Sequence, residues 1–406
     1  MEMISKLMQE SNTATTNLKK LMDHLLGLPS CTLITTGRTG TDFLQSLLDS
    51  HTEVLTFNGS LWFYEFWEDS YCAKVPDINL DHLLDEFLGK HIQKFKSRYD
   101  WEERKDRLGE NAEESIDINF PHFKEQVKAM LCGRTINTKN VLLAVYGSYS
   151  LCLGQDIEKK NIFFHHIHHA ERLPPYLKDF PDSKIICMTR DPRANFVSGV
   201  QHWRKYDQHS DNGGHLYYYI KRILLDAYVL EQYNNDYVVL RIEDLGEKQI
   251  LEKLCAWLSI SYTDELTMST WGGKRWRGDR LSTKENEVSG WSAKMLDNSW
   301  DKKLSLFDKF LFNFLMNSRL KFYNYPYREN DILDCFTVPI LILLPLSFEL
   351  RYFSYSYIRE AIKNKEMRKV FLNCFSYLQR IILFYKYYAM VIRRFKFARK
   401  FIRRPQ

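Results

Sequence analysis

The sequence predicts an α/β fold of three layers, in which helices cover both faces of a mainly parallel sheet. Short, continuous apolar runs recur along the chain, each bounded by turn or polar residues, and such runs are typical of strands buried on both faces. Helical segments separate these runs, as the crossovers of a parallel sheet require. The predicted strands are CTLITT (31–36), VLLAVYG (141–147), IFFHHI (162–167), KIICMT (184–189) and YVVLRI (237–242).

Composition is that of a folded protein from a reducing compartment. The 406 residues are 45% hydrophobic, enough for one large core or for a catalytic domain with an appendage. The eight cysteines are scattered singly with no Cys-x-x-Cys pair, which argues against a disulfide framework and a zinc ribbon. The first 20 residues hold no apolar segment of signal-peptide length. We therefore expect a cytoplasmic protein.

The order of the segments predicts three regions. Residues 1–30 form a helical lead-in, residues 31–330 form the α/β domain, and residues 331–406 form a C-terminal helical region that is first apolar and then basic. Within the domain, a charged and aromatic-rich insertion runs from about 61 to 140. It is longer than a simple crossover needs, and we expect it to be helical.

Positive charge is concentrated in the last part of the chain. Residues 351–406 hold 15 Lys or Arg and two acids, a net charge of +13, which leaves −7 (6 − 13) for the first 350 residues. The apolar run 335–348 has 14 residues and two prolines, whereas a transmembrane helix needs roughly 17 to 25 residues. The basic amphipathic tail is typical of a helix on an anionic membrane surface. Packing on the catalytic domain is the alternative, and no nucleic-acid module accompanies the tail.

The stretch CTLITTGRTGTDFLQSLLD (31–49) has the pattern of a phosphate-binding turn. A strand leads into two glycines that allow a tight turn, and a helix is predicted from about Thr41 through Leu48. Backbone amides at such a helix N-terminus bind anions, while arginine and threonine side chains add charged and hydroxyl donors. The candidate phosphate-binding residues are Gly37, Arg38, Thr39, Gly40 and Thr41.

The same turn departs from the usual nucleotide-binding loop. That loop reads GxxxxGK[ST], and here no lysine follows Gly40. A magnesium-dependent ATPase or GTPase is therefore disfavoured. A tight structural bend without a ligand is the alternative to a phosphate site.

A second strand, loop and helix is predicted in KIICMTRDPRANFVSGVQHWRKY (184–206). Arg190 ends the strand and can contact a phosphate with two N–H groups. Pro192 suits the first position of a helix, and Ser198 lies further along that helix. A structural ion pair between Arg190 and Asp191 is the alternative.

Together, the two elements resemble the sulfotransferase family in its carbohydrate (Golgi-like) and bacterial branch. The similarity is close over about residues 31–60 and 160–260, poor in the insertion, and absent from about 330 onward. The resemblance implies 3′-phosphoadenosine 5′-phosphosulfate (PAPS) as sulfuryl donor and 3′-phosphoadenosine 5′-phosphate (PAP) as product. It implies that the first element, including Asp42, holds the 5′-phosphosulfate, and that Arg190 and Ser198 hold the 3′-phosphate.

A late basic loop is also similar to one in the family. The sequence WGGKRWRGDR (271–280) is rich in glycine and arginine. The resemblance implies that Arg275 or Arg277 reaches the nucleotide. A solvated charged loop is the alternative.

The sequence does not identify a single residue as the catalytic base. Where the resemblance leads us to expect a glutamate after the first motif, this chain has Asn-Gly-Ser at 58–60. The candidates are His168 and His169 at the end of a predicted strand, Glu65, and Glu53. A histidine with an ordinary pKa near 6.5 can accept a hydroxyl proton at neutral pH.

Strand geometry bears on the histidine cluster HHIHH (165–169). In a regular strand His166 and His168 share one face, while residues 165, 167 and 169 share the other. A metal site built on His166 and His168 is a weaker alternative, and sulfuryl transfer does not require a metal.

The first functional hypothesis is therefore a PAPS-dependent sulfotransferase. It would transfer a sulfuryl group in line, without a metal, to a hydroxyl of a carbohydrate or glycolipid acceptor. Arg38 would stabilise charge on the leaving phosphate. The alternatives are a catalytically silent nucleotide-binding membrane adaptor and a kinase-like P-loop enzyme.

Overall fold

The computed structural model describes residues 2–35, 37–71, 78–96, 107–206, 212–229, 233–278, 290–292 and 300–392. Within them, five strands form one sheet in the order β2–β3–β1–β4–β5, and every neighbouring pair is parallel. Helices lie on both faces, so the predicted three-layer α/β class is confirmed. The strands are β1 (Ser30–Thr35), β2 (Val54–Leu55), β3 (Ile162–His169), β4 (Lys184–Thr189) and β5 (Tyr237–Arg241).

Helices make up most of the described chain. Those up to the second anion element are α1 (Glu2–Gly27), α2 (Thr41–Leu48), α3 (Phe63–Glu65), α4 (Leu80–Phe95), α5 (Phe120–Leu131), α6 (Thr138–Cys152), α7 (Leu173–Asp179) and α8 (Pro192–Tyr206). Those that follow are α9 (Gly213–Val229), α10 (Lys248–Leu258), α11 (Trp300–Lys303), α12 (Leu306–Phe322), α13 (Ile332–Leu341), α14 (Tyr355–Lys363) and α15 (Met367–Ile392).

Strand β3 shows how the layers are arranged. His165 points to one face, where its Nδ1 lies 2.8 Å from the hydroxyl of Tyr146 on α6. The next residue, His166, points to the other face, where its Nδ1 lies 2.9 Å from Oε1 of Gln45 on α2. The alternation of a strand therefore places α6 and α2 on opposite sides of the sheet.

The prediction of a strand over 141–147 is wrong, because these residues belong to α6. The side chain of Asn137 caps that helix by accepting a hydrogen bond from the amide of Asn140. The helix packs between α1, α5 and the sheet, so residues 141–150 are all buried. A helix buried on every side has the same continuous apolar run as a buried strand, and the two cannot be separated by pattern alone. The other four predicted strands are present, and β2, which the sequence did not predict, completes the five-stranded sheet.

The insertion from about 61 to 140 contains α3, a π-helical turn (Phe66–Tyr71), α4 and α5. These elements pack an aromatic cluster against the sheet: the ring centroids of Phe57 and Phe95 are 5.0 Å apart, and those of Phe95 and Phe123 are 5.1 Å apart. Most aromatic side chains of the described insertion are therefore core, with Trp62 as an exposed exception.

The C-terminal region packs on the α/β domain as far as the structure describes it. The hydroxyl of Tyr387 on α15 donates to the carbonyl of Leu224 on α9. The amide of Gly213 donates to Oδ1 of Asn373 over 2.9 Å. None of the described helices combines the length and apolarity needed to cross a membrane. The most basic part of the predicted tail, from 393 onward, lies outside the described residues.

Candidate active site

The two predicted anion elements follow neighbouring strands. Strands β1 and β4 pair in parallel, with Thr35 opposite Met188. The glycine turn follows β1 and the loop of Arg190 follows β4, so both lie at the carboxyl edge of the sheet. Crevices at this edge are where ligands bind in open α/β sheets.

The glycine turn is a left-handed bend closed by a threonine. The backbone has φ of 96° at Gly37, 56° at Arg38 and 86° at Gly40. The amide of Gly37 donates to Oγ1 of Thr35 over 2.9 Å, and that hydroxyl is also hydrogen-bonded to the hydroxyl of Thr39. Helix α2 then begins at Thr41 with the bounds that the sequence predicts. Its N-cap, Gly40, has no side chain, and so the first amides of α2 point toward the turn without a side-chain cap.

Tyr219 on α9 connects the two anion elements. A Cβ atom placed on Gly37 would lie 3.7 Å from the Tyr219 ring, and one on Gly199 of α8 would lie 2.2 Å from it. The Tyr219 hydroxyl donates to the carbonyl of Asn195 over 3.0 Å. The ring is therefore wedged between the glycine turn and α8.

Three arginines act electrostatically on this tyrosine. Burial raises the pKa of Tyr219 strongly, and the positive charges of Arg38, Arg190 and Arg222 oppose that rise. The arginines come from the glycine turn, from the end of β4 and from α9. Three cations from three elements can together hold a polyanion with more than one phosphate-type group.

Arg222 was not predicted from the sequence. It lies in the middle of α9 and pairs with Glu171, with 2.6 Å between Nη2 and Oε1. On an amphipathic helix a lysine-arginine pair such as 221–222 is typical of a solvated face. In the structure Arg222 is half-buried and its charge acts on Tyr219 and His168, whereas Lys221 is exposed.

The loop after β4 has a structure that leaves Arg190 for another partner. Both carboxylate oxygens of Asp191 accept from Arg193, at 3.0 and 2.7 Å. The alternative of an ion pair between Arg190 and Asp191 is therefore wrong. Pro192 is the first residue of α8, and Ser198 lies half-buried on its second turn.

A β-bulge interrupts β3 at the histidines. Leu33 of β1 pairs with His166, and the next residue, Ile34, pairs with His168, so the register shifts by one residue. His168 has φ of 75°, a left-handed conformation. The regular alternation assumed from the sequence therefore fails here, because a bulge re-aims the side chain at the end of a strand.

A chain of hydrogen bonds sets the tautomer of His168. Nε2 of Gln45 donates to the carbonyl of Phe57 over 2.6 Å, so Oε1 of Gln45 must accept, and it accepts from Nδ1–H of His166. Nε2 of His166 is then an acceptor, 3.2 Å from Nδ1 of His168. His168 therefore carries its proton on Nδ1 and a lone pair on Nε2.

Burial keeps the histidines of this cluster neutral. Loss of hydration lowers the pKa of His168 to about 4; the charges of Lys94, Arg222 and Arg38 lower it as well, while that of Asp42 opposes the shift. The pKa of His169 is lowered to about 2, again chiefly by burial and then by His168, Arg222 and Arg172. Both side chains are deprotonated at pH 7.

The buried histidines also predict acid sensitivity. Burial lowers the pKa of His91 and of His165 to about 3 in each case, whereas an unfolded histidine has a pKa near 6.5. As pH falls below about 6.5 the unfolded chain binds protons that the folded chain does not, so the free energy of unfolding falls by about 1.4 kcal/mol per pH unit for each. Thermal unfolding should therefore show a steep loss of the transition midpoint between pH 7 and pH 4.

His91→Gln tests the lowered pKa of His91, because it removes one of the buried histidines that make stability depend on pH. The slope of stability against pH should become smaller in this variant and stay unchanged in His82→Gln, an exposed histidine on the same helix. An unchanged slope in His91→Gln would contradict a depressed pKa at His91.

The acidic base candidates lie in different places. Glu65 is held in an ion pair by Arg172. Both carboxylate oxygens of Glu53 accept from Ser261, and its carbonyl accepts from the amide of Ile162 at the start of β3. Glu53 therefore lies at the amino edge of the sheet, opposite the glycine turn, and cannot be the base there.

Asp42, in the first turn of α2, is directed at the histidines. Its Oδ1 lies 3.7 Å from Nδ1 of His166, and its charge raises the pKa of His168. A carboxylate repels a phosphosulfate, and so this geometry suits a partner of the histidines better than a direct ligand of the donor.

The late basic loop lies at the other end of α2. The hairpin of β6 (Thr270–Trp271) and β7 (Lys274–Arg275) is bound to Asp49, whose Oδ2 accepts from the amide of Gly273 over 2.9 Å. Arg277 donates to the carbonyl of Glu110, and Arg275 lies 3.9 Å from the Glu110 carboxylate. The structure does not bring either arginine to the glycine turn, and their role at the nucleotide stays a prediction.

The described residues contain no group of three or more His, Cys, Asp or Glu side chains placed to hold a metal ion. His166 and His168, the pair considered for a metal site, are joined by a hydrogen bond between Nε2 of His166 and Nδ1 of His168.

Comparison with known proteins gives one match by sequence family. The family model described as "Sulfotransferase family" matches residues 32–264, more than half of the chain. The match begins within β1, extends beyond β5, and includes the glycine turn, the histidine cluster and the loop of Arg190. None of the curated proteins matches the chain.

Several solved structures show weak similarity. The sulfotransferase domain of the Synechococcus PCC 7002 olefin synthase is 12% identical, with 79% of this chain and 96% of that chain covered and a TM-score of 0.34. The sulfotransferase domain from the curacin biosynthetic pathway is 16% identical, with 79% of this chain and 99% of that chain covered and a TM-score of 0.34. Sulfotransferase STF9 from Mycobacterium avium is 15% identical, with 59% of this chain and 66% of that chain covered and a TM-score of 0.30.

Proposed function

Because the chain belongs to the sulfotransferase family, we propose that it transfers the sulfuryl group of PAPS to a hydroxyl of a carbohydrate or glycolipid acceptor. The observation that carries this proposal is that the two strand-loop-helix elements follow neighbouring parallel strands and that the Tyr219 ring packs against both of them, where the charges of Arg38, Arg190 and Arg222 act on it. PAPS carries anionic groups at both ends of its nucleoside, and it therefore suits two anion elements side by side.

The residues divide between the two ends of the donor. Gly37, Thr39, Gly40 and Thr41 present amides and hydroxyls to the 5′-phosphosulfate, and Arg38 stabilises the charge that builds on the leaving phosphate. Arg190 and Ser198 hold the 3′-phosphate. Arg222 adds the third cation from α9.

In this proposal His168 is the catalytic base. Its Nε2 takes the proton of the acceptor hydroxyl while the acceptor oxygen forms a bond to sulfur and the bond from sulfur to the phosphate oxygen breaks, which releases PAP. The Gln45 and His166 hydrogen bonds hold the tautomer that this step needs. His169 is a weaker base because its pKa is about 2, and Glu65 is held by Arg172.

The acceptor class is supported by an exposed aromatic ring next to the site. The Trp62 side chain is 43% exposed, with Nζ of Lys94 5.4 Å and Cζ of Arg172 5.7 Å from its ring centroid. The two cations that flank the ring also act on the histidines, Lys94 on His168 and Arg172 on His169. Aromatic faces of this kind stack on sugar rings. The protein would act in the cytoplasm, peripherally on the membrane when the acceptor is a glycolipid.

A silent nucleotide-binding protein is the second candidate, favoured by the residues that replace the expected glutamate. Asn58 and Ser60 are fully buried; the Asn58 amide donates to the carbonyl of Lys94, and the Lys94 ammonium donates to the carbonyl of Ser60. Neither a side-chain amide nor a hydroxyl can replace a carboxylate as a base. Binding of PAP without transfer from PAPS to any hydroxyl acceptor, in a protein with intact His168, would establish this candidate instead.

Calorimetric titration with PAP tests the nucleotide site. We expect binding by the wild-type protein and a loss of about 10- to 100-fold in affinity for each of Arg38→Ala, Arg190→Ala and Arg222→Ala, because each removes a charge-assisted hydrogen-bond donor. Lys221→Ala is the matched control next to Arg222 and should bind like wild type. Absence of binding by the folded wild-type protein would refute the proposed donor.

A further inference from the structure

Helices α13 and α15 expose an apolar surface that the proposed reaction does not use. Its largest side chains recur at helical spacing on each helix and are between 58% and 75% exposed: Ile332, Phe336 and Ile340 on α13, and Phe371, Phe375 and Ile382 on α15. We call this surface the apolar face. Soluble monomers rarely expose contiguous apolar patches of more than a few hundred Å², and larger ones mark interaction sites.

Hydrogen bonds hold the two helices side by side. The hydroxyl of Tyr388 donates to the carbonyl of Cys335 over 2.6 Å, and that of Tyr385 donates to the carbonyl of Pro339 over 2.6 Å. These bonds place α13 beside the C-terminal half of α15 as an antiparallel pair, so the stripe of α13 lies at the Ile382 end of the α15 stripe. Phe375 and Phe371 extend the face along α15 beyond the end of α13.

The charges at the α14 and α15 end of this face are mainly positive, whereas at the start of α13 Arg328 is paired with Asp331 and Asp334, and Lys321 with Glu329. Glu366 is bonded to Lys369 over 2.7 Å, which neutralises one of the two acids. The exposed or half-exposed charged side chains on α14, on α15 and in the turn between them are Arg359, Lys363, Lys365, Arg368, Lys369 and Lys386, against Glu360 and Glu366. An apolar centre with a cationic border is complementary to a layer of acyl chains under anionic headgroups.

The same helices cannot cross a bilayer. Helix α13 has 10 residues and contains Pro339, whereas a crossing needs roughly 17 to 25. Helix α15 is longer, but its opposite side is packed on α9 through Tyr387 and Leu224. Only the outward stripes are available, so the helices can lie in the interface but not span the membrane.

We propose that the apolar face docks this protein on the surface of an anionic lipid bilayer, with the stripes of α13 and α15 inserted among the headgroups. The inference goes beyond the proposed transfer reaction and does not depend on it. Because α9 contacts α15 on one side and carries Tyr219 and Arg222 on the other, docking fixes the orientation of the candidate active site relative to the membrane.

Vesicle flotation with the full chain tests this inference. We expect binding to vesicles of phosphatidylcholine with phosphatidylglycerol and weak binding to phosphatidylcholine alone. The double variant Phe336→Ser/Phe375→Ser should bind the anionic vesicles at least tenfold more weakly, because it removes two aromatic side chains from the inserted stripes. Both positions are exposed, and so circular dichroism and PAP affinity should stay unchanged.

Met268→Ser is the matched control, since Met268 is an exposed apolar residue of the α/β domain; it should bind like wild type. Equal binding by the double variant and wild type would overturn the proposal and assign any binding to basic residues alone, those of α14 and α15 or those from 393 onward. A stable dimer of the wild-type protein that the double variant loses would also overturn it, because a second copy would then cover the apolar face. Light scattering after size exclusion measures that outcome.

Discussion

Gly40→Ala is expected to lower the affinity for PAP by more than 100-fold. A Cβ atom at this position would lie 2.3 Å from Cδ1 of Ile242, and the backbone has φ of 86°. The left-handed conformation costs an alanine roughly 1–2 kcal/mol, and overpacking typically costs 1–3 kcal/mol more. The Ile242 side chain must shift to relieve the contact, and only a movement of the turn relieves the strain in φ; that movement displaces the amides of α2 that are proposed to bind the donor. Calorimetry with PAP measures the loss.

Gly133→Ala is the control that measures the cost of a left-handed φ away from the glycine turn. Gly133 has φ of 80° and nothing within 4 Å of a Cβ atom, and it lies in the turn after α5. We expect this variant to have a lower midpoint of thermal unfolding, because alanine is strained at this φ, while its PAP affinity stays at the wild-type value. Wild-type affinity in Gly40→Ala would show that the glycine turn is a structural bend with no ligand.

His168→Asn is expected to lower kcat for sulfuryl transfer by 10²- to 10⁴-fold, the range of a general base, with PAP affinity changed by less than about twofold. The pH profile provides an independent test. Since burial lowers the pKa of His168 to about 4, its base form is complete at neutral pH and is lost only as pH falls through about 4. Within the pH range where the protein is folded, log kcat should therefore not show the inflection near 6.5 of an ordinary histidine.

Gln45→Leu tests the positioning of that base. It removes the acceptor for Nδ1–H of His166, so the tautomer of His168 is no longer held, and we expect a smaller loss in kcat with KM for PAPS unchanged. His169→Asn should retain most of the activity. Full activity in His168→Asn together with a large loss in His169→Asn would transfer the role to His169.

The acceptor side of the site shows how far the sequence alone leads. Carbohydrate and glycolipid acceptors were predicted from resemblance and not from any single residue. The structure adds an exposed Trp62 between two cations, and it shows that most other aromatic residues of the described insertion pack in the core. An aromatic side chain has the same sequence pattern in either place, and only its neighbours decide which it is.

The sequence by itself determined the α/β class and the two strand-loop-helix elements that are the candidate anion sites. The apolar runs and the glycine turn are local features, because φ at a glycine and the start of α8 at Pro192 depend on a few adjacent residues. Strand order was not needed to predict that Arg38 and Arg190 end at one edge, since the carboxyl ends of parallel strands share an edge.

Only the tertiary structure decided the rest of the site. Arg222 and Tyr219 belong to a helix whose own pattern does not distinguish the solvated side from the side that packs on the glycine turn. Residues 141–147 form a helix that its neighbours bury on every side, and this burial removes the periodicity that would identify it as a helix. The register shift of β3 and the contact from Gln45 select His168 as the base candidate and place Glu53 at the opposite edge. Each of these outcomes depends on residues distant in sequence, and a local pattern contains no information about such contacts.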